Sequence, residues 1–305
     1  MNRLRALPGL AAATLTLALA GHSSAYCLTR TCDPSKPMSM CEFQGSCNLS
    51  GNVLYWPNSC ISFDVQKDGS PKLGISYDTI YGIVVDSFAK WANADCGDGT
   101  HPNFVATDLG AVDCAKPEYN KTQPNANVIA FHDASPWPHP NAVDTLALTT
   151  VFFQGDSGEI YDANVEINSA EDTFSTDNSD AVAPELSAVL THEIGHFLGL
   201  SHSDESAATM FSRYMPGMDT LEQDDIDGIC LALAPDRSIK SDSCTPRHGF
   251  SGDCGTPETG CCATAVGSGA SSSRTLGLFA FGLGLCAWTA RLRFRRSGSR
   301  PALRR

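Results

Sequence analysis

From residue 61 the chain alternates: Ile61, Phe63 and Val65 are apolar while Ser62, Asp64 and Gln66 are polar, the period of two of a half-buried strand. At Asp78 the period lengthens. Ile80, Ile83, Val84, Phe88 and Trp91 fall on one stripe of a helix expected to end near Ala94. Val128 to Phe131 is a short apolar run suited to a buried strand, and Leu146 to Phe153 is another. The turn residues Gln154-Gly155-Asp156-Ser157-Gly158 then lead into a strand from Ile160 to Ile167. A second helix is expected with Pro184 in its first turn and Leu186, Val189, Leu190, Ile194, Phe197 and Leu198 as its apolar positions. A last helix is expected from Thr220, whose spacing to Gln223 fits a capping box, with Leu221, Ile226, Ile229, Cys230 and Leu233 as its buried stripe. Strands with one early helix, followed by two late helices, predict an α+β domain. No internal repeat is present.

The second helix carries the chemistry. In the run Thr191 to Ser203, His192 and His196 stand four residues apart, so both rings project from one helix face and can grip one metal ion. Glu193 sits beside them, within reach of a water on that ion. His202 could join them only if the helix stops and the chain turns back, because ten residues of helix would carry it roughly 15 Å along the axis. Gly199 permits that turn as a helix-ending residue with positive φ. The spacing thus predicts a zinc site made of His192, His196 and His202, with Glu193 as the catalytic carboxylate.

The ends of the chain have a different character. Arg3 and Arg5, an apolar stretch from Leu7 to Ala20, and Ser23-Ser24-Ala25 read as a secretory signal cleaved before Tyr26. Near the C-terminus, Gly260-Cys261-Cys262 leads through a Gly/Ser-rich stretch to an apolar segment, Leu276 to Ala290, and then to Arg291, Arg293, Arg295 and Arg296. This pattern resembles bacterial surface-sorting segments. The apolar part is about 15 residues, short of the roughly 17 to 25 of a stable span, so a transient membrane anchor and a plain hydrophobic tail both fit. Residues 26–51 form a Cys-rich segment, and 237–273 read as a disulfide-braced linker. Cys27, Cys32, Cys41, Cys47, Cys60, Cys96, Cys114, Cys230, Cys244 and Cys254 make an even set of ten, pointing to disulfides in an oxidising compartment. Cys96 with Cys114 and Cys244 with Cys254 are local pairings that spacing allows. Ten of the 21 basic residues lie in the two terminal segments, leaving 11 against 34 acids, a net charge of −23 for residues 26–273. Such a surface excludes nucleic acid as a partner. Solubility outside the cell explains the acidity, and bound calcium would be a second reason.

Beyond the histidine run, Ser203 after the third histidine, Met210 placed as in a Met-turn, Tyr214 four residues on, and the helix Leu221 to Ile229 are similar to the matrixins among the metzincin metalloproteases. The similarity covers roughly residues 52–236. It implies a twisted, mostly parallel sheet with an edge strand, packed on two helices, plus a C-terminal helix. It further implies a monomeric endopeptidase with one catalytic zinc, acting on an extended peptide or protein along the edge around Leu146-Ala147-Leu148, a stretch that ordinary core packing explains equally well. Met210 would form an apolar floor under the metal and Tyr214 would line the specificity pocket; Met210 is equally suited to filling a core gap. The chain departs from the family in lacking the PRCGxPD latency motif, so the four cysteines from Cys27 to Cys47 are expected to pair with each other. Ile160 stands where a structural-zinc histidine would be, and Ser212 replaces the proline common after the Met-turn. Asp156, Glu159, Asp162 and Glu166 could hold calcium through hard oxygen ligands, or could be solvated turn and strand carboxylates. The competing functional class is a catalytically silent, zinc-stabilised surface binding module.

Overall fold

The computed structural model describes residues 25–35, 39–140, 142–177 and 183–253, and the backbone of 302–304. The expected signal segment and the apolar segment 276–290 lie outside the described residues. Among those described, no helix is long and apolar enough to cross a membrane.

Strands β1 (Cys27–Leu28), β2 (Phe43–Gln44) and β3 (Cys47–Asn48) belong to the N-terminal segment; the sheet proper begins with β4 (Cys60–Val65). Helix α1 (Tyr77–Ala92) follows, then β5 (Val105–Asp108), β6 (Val128–Phe131), β7 (Thr145–Phe153) and β8 (Ile160–Ile167). Helix α2 (Leu186–Phe197), the short β9 (Leu200–Ser201) and α3 (Gln223–Ala232) complete the domain, and β10 (Ala302–Arg304) adds to the sheet. The sheet order is β10-β7-β8-β6-β4-β5. Strands β5, β4, β6 and β8 run parallel and β7 antiparallel to β8, the α+β architecture expected.

Ser76 caps α1 by accepting the Thr79 N–H, so the helix starts one residue earlier than the apolar stripe alone suggests. One face of the sheet buries Ile61, Phe63 and Val65 against Phe88 and Trp91 of α1 and Ile194 and Phe197 of α2. Phe63 stacks on Phe88 at 4.6 Å, and Phe88 meets Phe197 edge-on at 5.4 Å. The expected half-buried β4 is instead buried at all six positions. Its opposite face is covered by a second cluster of Val112, Cys114, Ala126, Val128 and Ala130, contributed by β6 and the long chain between β5 and β6. Ser62 and Asp64 therefore lie under a loop rather than in water. The sequence pattern passed over β5, whose four residues are exposed or half-buried and show no apolar alternation.

Both late helices start later than expected. Pro184 lies ahead of α2, its carbonyl accepting the Ser175 N–H, and Glu185 is the N-cap. The capping box of α3 joins Glu222 to Asp225 rather than Thr220 to Gln223. Asp225 wins because its carboxylate also serves the segment packed against the helix, described below.

Disulfides join Cys27 to Cys47 and Cys32 to Cys41, so the four N-terminal cysteines pair among themselves as expected. The spacing-based pairings are corrected: Cys60 bonds Cys244 and Cys96 bonds Cys230, across 184 and 134 residues. Loop closure rewards long spans as readily as short ones, so proximity in sequence was a poor guide. The Cys60–Cys244 bond ties the segment after α3 to the first strand of the sheet, and Arg237 reinforces it by donating to the carbonyls of Trp56, Asn58 and Asn103.

Candidate metal centre

Helix α2 is buried along nearly its whole length, and His192, Glu193 and His196 are each 0% exposed. Its C-terminal end is set by Leu198 and by Gly199, whose φ of +107° turns the chain back as the spacing required. A Cβ at Gly199 would come within 3.3 Å of the Leu54 carbonyl. Two residues of β9 later, His202 faces the helix. The three imidazoles surround one point: their ring centroids are 4.7, 4.8 and 5.4 Å apart, and one nitrogen from each lies within 4.8 Å of the others. Among the described residues this is the one such convergence of three His, Cys, Asp or Glu groups.

The protonation state suits a metal. His192 Nδ1–H donates to the Thr209 carbonyl at 2.6 Å, and His196 Nδ1–H donates to the Leu200 carbonyl at 2.9 Å. Each bond fixes the tautomer that leaves Nε2 as a lone pair. Those Nε2 atoms of His192 and His196 are buried and make no hydrogen bond. Burial, and then the neighbouring imidazole His202, push His192 down to about 3; burial and both other imidazoles push His196 well below its usual value. Two buried, neutral, inward-facing lone pairs with no other use are what a zinc ion needs.

Glu193 projects from the same helix. Thr149 of β7 places its hydroxyl 2.5 Å from Glu193 Oε2 and 3.1 Å from the Glu193 carbonyl oxygen, so sheet and helix meet at the carboxylate. Thr149 stands within an apolar run, and no local pattern singles it out. Trp91 donates from Nε1 to the Thr191 carbonyl at 2.9 Å, holding α1 to α2 one residue before the first histidine.

Met210 is buried and packs against Gly195, between the two helical histidines; a Cβ at Gly195 would lie 2.2 Å from its sulfur. Asp225 of α3 holds the turn that carries it, accepting the N–H groups of Thr209 at 2.7 Å and Met210 at 2.9 Å. Burial raises the Asp225 carboxyl above the ordinary range despite these bonds. Asp224, its neighbour, accepts from Ala25, Tyr26 and the Ser203 hydroxyl. Tyr214 is half-buried, and its hydroxyl accepts the Glu185 N–H at 3.1 Å, bracing the entry to α2.

The four carboxylates considered for calcium do not share a site. Asp156 lies exposed in the turn before β8, and Glu159 pairs with Lys240 and Arg247. Asp162 is buried against Asn164. Glu166 is buried between His132 at 2.5 Å and His139 at 3.0 Å. Burial alone would raise its carboxyl, but the two histidine bonds outweigh burial and hold it low. Alternation along β8 puts Asp162 and Glu166 on the covered face of the sheet, away from the turn that holds the other two.

Residues 126–231 match the matrixin family, Peptidase_M10. The chain is similar to metalloendoproteinase 1-MMP of Arabidopsis thaliana, 38% identical over 69 residues, which are 22% of this chain and 19% of that protein. It is similar to neutrophil collagenase of Homo sapiens, 36% identical over 109 residues, which are 33% of this chain and 21% of the collagenase. Over 53 residues it is 49% identical to matrix metalloproteinase-27 of Tupaia belangeri, which covers 16% of this chain and 10% of that protein. The matched stretches thus span about a fifth or less of these relatives. The histidine triad of α2 and its return loop and the Met210 turn all lie within that match, so residues 126–231 form a matrixin-like stretch.

Proposed function

We propose that this protein is an exported zinc endopeptidase in which His192, His196 and His202 hold the metal and Glu193 is the general base. The observation that carries the reading is the convergence of three imidazole nitrogens within 4.8 Å beside a buried carboxylate that is itself held by Thr149. Zinc bound there would supply Lewis acidity, acidifying water and polarising the scissile carbonyl. Glu193 takes the proton from the attacking water and later delivers it to the leaving amine. Thr149 orients that carboxylate, while the Thr209 and Leu200 carbonyls keep the two helical imidazoles aimed inward. Met210 keeps the floor of the site apolar and dry.

An extended peptide would align along the side of β7 away from β8, in the place that β10 takes here, where the Leu146-Ala147-Leu148 backbone offers main-chain bonds and leaves selectivity to side-chain pockets. The disulfides and the acidic surface fit an oxidising, extracellular setting, reached through the N-terminal signal and retained at the surface through the C-terminal segment.

The test is cleavage of an extended-peptide library by the zinc-loaded protein beside Glu193→Ala. Cleavage by the parent, reduced at least ~100-fold in the variant, is expected. Undiminished cleavage by the variant would refute Glu193 as base. Equal partner binding by both proteins with cleavage by neither would favour the binding module.

A further inference from the structure

We propose that the disulfide-closed N-terminal segment is a clip that positions two of the three metal ligands, acting on His202 through Ser46 and on His196 through Thr29. The proposal rests on the reading of the triad as a zinc site. The reason for such a clip lies in the chain path. His192 and His196 share a rigid helix, but His202 comes after the glycine turn, on a loop that follows the two-residue β9 and is held on its far side by Ser203, which donates to the Met210 carbonyl and to Asp224. A ligand on such a loop binds well only if something else fixes the loop beforehand.

That support comes from the N-terminal segment, on both sides of the loop. On one side β1 pairs antiparallel with β9, Cys27 opposite Ser201 and Leu28 opposite Leu200. Thr29 extends the pairing, its N–H donating to the Gly199 carbonyl at 2.9 Å. The Thr29 hydroxyl, itself buried, donates at 2.7 Å to the Leu200 carbonyl. That same carbonyl accepts the His196 Nδ1–H, so Thr29 locates the acceptor that orients the second ligand.

On the other side, the hairpin of β2 and β3 reaches the third ligand itself. Ser46 donates from Oγ to the His202 carbonyl at 3.0 Å, and its N–H donates to the Asp204 carboxylate at 3.0 Å. Gly45 makes this approach possible: it adopts φ +60°, and a Cβ there would lie 1.9 Å from Asp204 Oδ2. The Cys27–Cys47 bond joins the two halves, linking the strand that holds β9 to the residue next to Ser46. Thr29 and Ser46 thus grip the loop from Gly199 to Asp204 as the two jaws of one covalently closed unit.

The segment's role in metal binding is separable from a general contribution to stability by measuring zinc directly. The full chain and the variants Ser46→Ala, Ser46→Thr, Thr29→Val and Thr29→Ser would be titrated with zinc against a chromophoric chelator, cobalt substitution would report ligand geometry by its visible spectrum, and the melting temperature of each metal-free form would be recorded. Removal of a group that orients a metal ligand lowers metal affinity about 10- to 100-fold. Ser46→Ala and Thr29→Val are expected to lose zinc affinity by ~10-fold and to alter the cobalt spectrum, whereas Ser46→Thr and Thr29→Ser retain both. The double variant Cys27→Ser with Cys47→Ser is expected to lose at least as much. Parent-like zinc affinity and cobalt spectra in Ser46→Ala and Thr29→Val would overturn the proposal, whatever their melting temperatures. A parent that takes up no zinc would fail the zinc reading itself and the proposal with it, a result distinct from variants that match a zinc-binding parent.

Discussion

Thr149 on β7 donates its hydroxyl to the Glu193 carboxylate on α2 across 2.5 Å, in a place where both residues are fully buried. One side chain thereby fixes the carboxylate proposed as general base relative to the strand along which a peptide would lie. Replacing Thr149 with Val keeps the shape and deletes the donor. The expected result is a kcat about 10-fold lower with KM little changed, because the interaction orients the base rather than the substrate. Thr149→Ser should restore most of the rate. Steady-state kinetics on one peptide decide it, and an unchanged kcat in Thr149→Val would mean that Glu193 is oriented by other means.

Asp225 serves three backbone donors at once: Thr209, Met210 and its own capping partner Glu222. Asp225→Ala would leave buried N–H groups with no acceptor, at a cost of about 2 to 4 kcal/mol in unfolding free energy. Asp225→Asn keeps one acceptor oxygen and is expected to cost less. Denaturant unfolding of the three proteins measures the order, which a purely local helix-cap role would compress to about 1 kcal/mol.

How far the sequence could be read follows from where each interaction lies. The histidine cluster, the adjacent Glu193 and the glycine turn were legible because they sit within one short run whose spacing is tied to helix geometry. Strands β6, β7 and β8 were legible from apolar runs, whereas β5 was not, since its residues face solvent or loops and carry no pattern. Asp225 looked like one of three acids near a helix start, and Ser46 like any loop serine. Their roles depend on partners about 15 and about 156 residues away, and nothing in a local pattern encodes such a distance. The same reason explains why the local disulfide pairings failed while the long Cys60–Cys244 and Cys96–Cys230 links formed.

Strand β10 pairs antiparallel with β7, Ala302 opposite Leu148 and Leu303 opposite Ala147. Residues 302–304 of the chain itself thus lie on the edge proposed for substrate. Removing residues 301–305 is expected to lower KM for an extended peptide severalfold without changing kcat, since a competing strand is taken away while the base and ligands stay in place. Equal KM in the shortened and full chains would show that this strand does not compete with substrate.

Asp64 gives the pH dependence a sign that can be worked out. It is fully buried on the covered face of the sheet, and its oxygens make no hydrogen bond of ordinary geometry. Burial first, and then the charge of Asp108, raise its carboxyl from 3.8 to about 7, while the N–H groups of Leu109 and Asn127 pull weakly the other way. A raised carboxyl means that the folded protein holds the proton more tightly than the unfolded chain. The stability linked to Asp64 is therefore fully present below about pH 4 and is lost as pH rises towards 7 and beyond. The buried histidines impose the opposite slope on the metal-free protein, since His192 falls to about 3 and gains stability for the fold as pH rises past that value. The difference between Asp64→Asn and the parent isolates the carboxyl from that background. It is expected to shift in favour of the variant between pH 4 and pH 7 by up to about 4 kcal/mol, and to level off above pH 8. Urea unfolding of both proteins at pH 4.5, 6 and 8 measures that difference, and a difference constant across the three would show that Asp64 is ionised throughout.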